Sequence, residues 1–180
     1  KVDDNLSNVV ITENKFKNLS SGGTIIYAPK QSDLEVSYNT LTLNNQIGIH
    51  VENPASKLIT VKGNIIDGAS TAILVNANVA YENNLAVRVA WNKINNSNTG
   101  IDIDLAYTDT FYHDNSYVRF NEVTDYAFGA KAATINLVDF NLNYWGGVPN
   151  YTKFVNLGET DLEGYYLDKT DIVSEAIYNP

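Results

Sequence analysis

The chain has 180 residues and a mass of 19.9 kDa, a length that suits one domain able to bury a proper core. Hydrophobic residues make up 44% and charged residues 18%; the charged share lies below the roughly 25% of ordinary globular chains, which excludes a solvated disordered tail. Lys+Arg 12 against Asp+Glu 21 gives a net charge of −9 without a basic stripe, so no nucleic-acid partner is expected; no apolar run approaches the ~18 residues of a transmembrane helix; and the lack of Cys excludes disulfides, thiolate zinc sites and cysteine nucleophiles.

Asparagine supplies 25 of the residues. It is a weak helix former and a poor strand-interior residue, but it tolerates left-handed backbone and suits turns. Before residue 150 no sustained i, i+3, i+4, i+7 pattern occurs, whereas short alternating runs abound. Many short strands joined by tight turns are predicted.

In chain order, the first strand centres on Val9-Val10-Ile11. Asn14 and Phe16 follow, then a strand Thr24-Ile25-Ile26-Tyr27. The same succession returns around Asn39, Asn64, Asn92, Asn121 and Asn143, at spacings of 25, 25, 28, 29 and 22 residues. Three residues before each Asn stand Ile11, Val36, Val61, Val89, Val118 and Phe140; five before stand Val9, Leu34, Ile59, Val87, Ser116 and Val138. Two after stand Phe16, Leu41, Ile66, Ile94, Val123 and Trp145. The position four before is mostly polar: Val10, Glu35, Thr60, Arg88, Tyr117 and Asp139. A further strand opens eight to ten residues after each of the first five anchors, as in Gly48-Ile49-His50-Val51, Ala72-Ile73-Leu74-Val75, Gly100-Ile101-Asp102-Ile103 and Gly129-Ala130-Lys131-Ala132. Period-2 alternation locked to a repeat this short predicts coils that bury a core only by stacking.

The pattern G-I-x-V … L-x-V-x-x-N-x-I over about residues 8–147 resembles the right-handed parallel β-helix repeat of pectate-lyase-like proteins. The tail Asn143-Tyr144-Trp145-Gly146-Gly147 is similar to the ending of bacterial secreted and surface members. The resemblance implies an all-β, right-handed single-stranded parallel β-helix of about six coils, with Asn14, Asn39, Asn64, Asn92, Asn121 and Asn143 as a stacked ladder between the second and third sheets. Residues 1–147 are assigned to the coils. Residues 148–180, rich in Tyr and Asp, are assigned to a C-terminal cap with one strand and a short helix at 171–178. Without Met or a signal peptide the chain reads as a mature product or an excised domain. It is expected to be a monomeric part of a larger chain, with further coils before Lys1. The family implies a secreted or cell-surface location and offers a glycan as partner.

Family active sites lie on the first sheet and its loops. Alternation turns Ile26, His50, Leu74, Asp102 and Lys131 outward on that face, with Asp104 continuing the Asp102 strand. Asp102, Asp104 and Lys131 are the candidate catalytic groups, as a carboxylate beside a lysine can move a proton on a sugar ring. A cross-strand ion pair is the competing reading and the favoured one. The Asp-Asp pair beside Gly-His-Gly of polygalacturonase-like enzymes is absent, and so is the acidic cluster with downstream Arg of calcium-dependent pectate lyases. Arg88 and Arg119, the only arginines, fall outward on the second sheet. Calcium on Asp102, Asp104 and Asp109 is the one cofactor considered, and His50 and His113 are too far apart in the repeat for zinc. For ligand binding the sequence offers Tyr107, Asp109, Phe111 and Tyr112 in the loop after the fourth repeat, together with His50. Tyr38, Trp91 and Phe120, each just before an anchor Asn, read as turn-packing residues. The expected function is a non-catalytic surface spacer or carbohydrate-contacting adhesion module. The alternative is the C-terminal part of a polysaccharide lyase or glycoside hydrolase.

Overall fold

A computed structural model describes residues 7–17, 20–30, 32–53, 56–77, 86–105, 116–133, 138–162 and 164–168. Among them are sixteen strands, β1–β16 in chain order, arranged in three sheets in which every pairing is parallel. The first sheet contains β3 (Thr24–Pro29), β6 (Ile47–Glu52), β9 (Thr71–Ala77), β12 (Ser97–Leu105), β15 (Tyr126–Ala132) and β16 (Phe154–Val155). The second contains β1 (Ser7–Thr12), β4 (Ser32–Ser37), β7 (Ser56–Lys62), β10 (Ala86–Ala90) and β13 (Tyr117–Arg119). The third contains the short strands β2 (Lys15–Lys17), β5 (Thr40–Thr42), β8 (Ile65–Asp67), β11 (Lys93–Asn95) and β14 (Glu122–Val123). The protein is an all-β parallel solenoid of about five turns. A partial further rung is reached by the isolated bridges Tyr117↔Asp139 and Glu122↔Tyr144.

The columns legible in the repeat are the core. Leu34, Ile59 and Val87 stack as register partners, as do Val36, Val61 and Val89, and Leu41, Ile66 and Ile94, all buried. Each such side chain contributes roughly 1.5–3 kcal/mol by leaving water. Because neighbouring coils present identical or isosteric residues, one rung's side chains pack directly on the next.

The asparagine ladder fixes the corner between second and third sheets. Each anchor's Oδ1 accepts from both the backbone N–H and the Nδ2 of the preceding anchor. The bonds are 3.0 and 3.1 Å from Asn14 to Asn39, 3.0 and 3.0 Å from Asn39 to Asn64 and from Asn64 to Asn92, 3.0 and 2.9 Å from Asn92 to Asn121, and 2.9 and 2.9 Å from Asn121 to Asn143. Nδ2 also donates to the carbonyl two residues upstream, as Asn64 does to Lys62. Asn39, Asn64, Asn92, Asn121 and Asn143 are buried, and this network satisfies their amides in the interior.

The residue before each anchor is always in the left-handed region: Glu13, Tyr38, Gly63, Trp91, Phe120 and Leu142 have φ between 53° and 64°. A non-glycine residue there is strained by roughly 1–3 kcal/mol. The ladder bonds offset this and hold the corner sharp. The corner leading to the first sheet uses the same conformation at Asn45, Gly68, Asn96 and Asp125, which accounts for part of the asparagine content.

One face assignment from sequence is corrected. Ile26 is inward, 5% exposed and paired with Ile49, whereas Tyr27 pairs with His50 and stands in the outward column. The run Thr24-Ile25-Ile26 lacks the small residue found at that place in the next four first-sheet strands (Gly48, Ala72, Gly100 and Gly129), so the alternation there has no fixed phase. A one-residue slip moves every side chain to the other face.

After the last coil the chain makes a 3₁₀ turn at Tyr151–Lys153, strand β16 and a second 3₁₀ turn at Glu159–Leu162. Phe154, Leu157 and Leu162 are buried with the solenoid core, and the Tyr166 N–H donates to the Asn143 carbonyl at 2.9 Å. The helix expected at 171–178 lies outside the described residues. No described helix is long and apolar enough to cross a membrane.

Candidate functional site

The outward row of the second sheet crosses the strands nearly along the solenoid axis. Val10, Glu35, Thr60, Arg88, Tyr117 and Asp139 are successive register partners, one per coil. Neighbours in such a row are spaced by the ~4.8 Å between strands. A groove of about 580 Å³ lies over Glu35, Thr60, Arg88 and Tyr117, with Leu58 and Lys62 completing its floor. A smaller hollow of about 200 Å³ shares Glu35, Leu58 and Thr60 and extends toward Asn8 and Val10.

The left-handed corner residues supply the groove's aromatic wall. Tyr38 and Trp91 line it. A left-handed residue projects its side chain away from the coil, and Tyr38 is 59% exposed. Its ring lies over Gly63: a Cβ on Gly63 would stand 2.6 Å from two Tyr38 ring carbons. The missing side chain at Gly63 therefore makes room for the Tyr38 ring, which covers that position on the side of the next aromatic. That aromatic, Trp91, stacks on Phe120 with ring centroids 5.3 Å apart and planes 16° from parallel. The Trp91 Nε1 is buried and has no acceptor among the described residues.

The groove's charges are matched locally. Glu35 accepts from the Ser37 hydroxyl at 2.7 Å and pairs with the Lys62 ammonium at 3.3 Å. The Ser37 bond, against some desolvation and helped by Lys62, holds the Glu35 carboxyl below the ordinary glutamate range. Arg88 and Arg119 both approach the Tyr117 ring, at 5.8 and 5.5 Å from its centroid, and Arg119 is held by the Asp139 carboxylate through Nε at 2.8 Å. The result is a surface with two aromatic side chains on one side and acidic, hydroxyl and basic groups along the floor.

On the first sheet, Asp102 and Lys131 are register partners, and Asp102 and Asp104 share one strand face. Burial pushes the Asp102 carboxyl up; Lys131 opposes that rise and Asp104 adds to it. The Lys131 ammonium sits 4.6 Å from the centre of the Phe128 ring. His50 Nε2 and the Asn76 amide oxygen are 2.7 Å apart, and the Tyr27 hydroxyl donates to Glu52. These side chains form a polar strip along the first sheet, whereas the two hollows described above lie on the second. Tyr107, Asp109, Phe111 and Tyr112, with the neighbouring His113, lie outside the described residues. Among the described residues no group of three or more His, Asp or Glu assembles to hold a metal, and Asp109, the third acid of the calcium set, is not one of them.

Sequence reasoning passed over the groove although its parts were visible. Its floor is the column four residues before each anchor, and its wall is the column immediately before. Reading the two columns together would have located it. Comparison with protein-family models, curated proteins and solved structures finds no match to this chain.

Proposed function

We propose that this chain is a non-catalytic, extracellular or cell-surface β-helix domain of the pectate-lyase-like type that contacts carbohydrate. The observation that carries this reading is the second-sheet groove. Aromatic faces from Tyr38 and Trp91 flank hydrogen-bonding side chains on Glu35, Thr60 and Lys62, all held by a rigid parallel sheet. Sugar rings offer an apolar face that stacks on aromatic rings and an equatorial belt of hydroxyls that needs donors and acceptors. A concave, mostly apolar site with a few placed polar groups is the usual form of such recognition. The extracellular location rests on the resemblance of the repeat and its Asn143–Gly147 ending.

The test is a glycan array followed by titration of each hit. Binding that weakens on Trp91→Ala supports the reading, and an array without hits refutes it.

A second reading is favoured by one observation, the raised carboxyl of Asp102 beside Lys131 on the first sheet. A carboxyl pushed up by burial and set beside a lysine is a pair that can exchange a proton with a sugar ring in a lyase or hydrolase. The expectation for the present reading is no turnover of acidic plant polysaccharides. Turnover abolished by Asp102→Asn or by Lys131→Ala would promote the enzyme reading.

A further inference from the structure

We infer that the second-sheet groove selects an uncharged glycan segment, laid along the solenoid axis with one ring between Tyr38 and Trp91. The inference rests on the glycan reading above and adds the ligand's charge, its direction and the subsite between the Tyr38 and Trp91 rings.

Direction follows from the row of register partners. Glu35, Thr60, Arg88 and Tyr117 each lie on a different coil, so a linear ligand running along the axis meets a new side chain at every inter-strand step of ~4.8 Å. A ligand lying along one strand would meet only the outward residues of that strand. The groove also continues over Glu35, Leu58 and Thr60 into the hollow near Val10, again along the axis.

The subsite follows from the corner column, where Tyr38 and Trp91 both line the groove. The corner column reads Tyr38, Gly63, Trp91 and Phe120, and the glycine alone lacks a side chain. Tyr38 leans over that position and stays exposed, while Trp91 is backed by Phe120. A pyranose ring entering the groove between Tyr38 and Trp91 can use both surfaces, and its hydroxyls reach the Glu35 and Lys62 heads.

Charge selection follows from how the cations are used. Lys62 is paired with Glu35, Arg119 with Asp139, and Arg88 is engaged against Tyr117 and elsewhere within the protein. An acidic sugar would find these cations already partnered, Lys62 and Arg119 each by a carboxylate that would repel it, and it would approach a chain carrying a net charge of −9. Hydroxyls meet no such repulsion. They accept from Lys62 and donate to Glu35 while the ion pair stays intact.

The experiment is calorimetric titration of the intact chain with neutral hexasaccharides (gluco-, manno- and xylo-) and with hexagalacturonate, at low and at physiological salt. Wild type is compared with Trp91→Ala and Tyr38→Asn. Asparagine suits the left-handed backbone of residue 38, so this second variant removes the ring without straining the corner. At least one neutral hexasaccharide should bind with salt-independent affinity, weakened roughly tenfold or more in each variant, while hexagalacturonate binds less well. Tighter, salt-sensitive binding of hexagalacturonate would overturn the inference and leave the glycan reading standing. Neutral binding untouched by both variants would move the site off the groove and overturn it. Binding of no saccharide of either kind would refute the inference and the glycan reading together.

Discussion

At the scale of single residues the ladder carries the sharpest consequences. Asn64 Oδ1 receives two bonds from Asn39, and Asn64 itself donates to Asn92, Val36 and Lys62. Asn64→Leu keeps the volume but takes the acceptor from the Asn39 backbone N–H and the amide donor from the Asn92 Oδ1 in a dry interior, while the Asn39 amide keeps the Ile11 and Ser37 carbonyls. Each orphaned group costs about 1–3 kcal/mol, so urea denaturation should show a loss of at least that size; a neutral result would mean that water or relaxation replaces the ladder. Asp102 gives a pH-dependent prediction of the opposite sign. Its folded-state carboxyl titrates above the unfolded one because burial penalises the charge. Ionisation therefore opposes folding: the penalty is absent below the unfolded value and complete above the folded one. Asp102→Asn should raise stability at neutral pH, and the gain should vanish as pH falls below the ordinary aspartate range, as followed by denaturant unfolding across pH. A gain that persists unchanged in acid would show that Asp102 acts through packing alone.

At the scale of the element, what matters is how closely coils approach. Gly48 and Gly100 sit where a Cβ would stand 2.6 and 2.5 Å from a backbone carbonyl oxygen on the next coil, Ala72 and Gly129 respectively. Neither backbone can yield without breaking ladder hydrogen bonds, and Val123 Cγ1 crowds Gly100 as well, at 2.6 Å. Gly100→Ala should thus cost about 1–3 kcal/mol as an overpacking change. At Gly63 the three atoms nearest an added Cβ all belong to the Tyr38 ring, a side chain and not a backbone, so Gly63→Ala adds chiefly the strain of a left-handed alanine, roughly 1–2 kcal/mol. Thermal unfolding should rank Gly100→Ala below Gly63→Ala. The reverse order would mean that the coils part more easily than the ring moves. These glycines also explain how far the sequence was readable. Gly48, Gly100 and Gly129 mark where the first-sheet strands approach, and with the anchors they set the register of β6, β12 and β15 correctly. In β3 Ile25 occupies that place, opposite Gly48, so the phase slipped and Tyr27 was missed. The groove was harder to read because it belongs to no single strand. It needs the corner residues to be left-handed, which nothing in Tyr38 or Trp91 as residue types announces; both are ordinarily excluded from that region.

Across the whole molecule, a solenoid in which each coil contacts only its neighbours should open from its ends. A central coil must lose two interfaces to open, whereas a terminal coil loses one. The two ends differ. Over the last rung, Phe154, Leu157 and Leu162 bury apolar surface against the core, and β16 pairs with the edge of β15. At the other end β1, β2 and β3 are the outermost strands of their sheets among the described residues. Ile11 and Phe16 are only partly buried there, and Asn14 is the one exposed member of the ladder. Amide hydrogen exchange should therefore be slowest in β7 through β12, intermediate around β15, and fastest in β1 and β2. The backbone N–H of Asn14 and that of Asn64 make the same bond, each 3.0 Å to the next anchor's Oδ1. They form an internal comparison in which local geometry is held constant and only position along the axis changes. Protection at Asn64 should exceed that at Asn14 by several orders of magnitude if opening proceeds coil by coil. Equal protection at the two would mean that the ladder makes the stack a single cooperative unit, and the nearest-neighbour description would then fail for this solenoid.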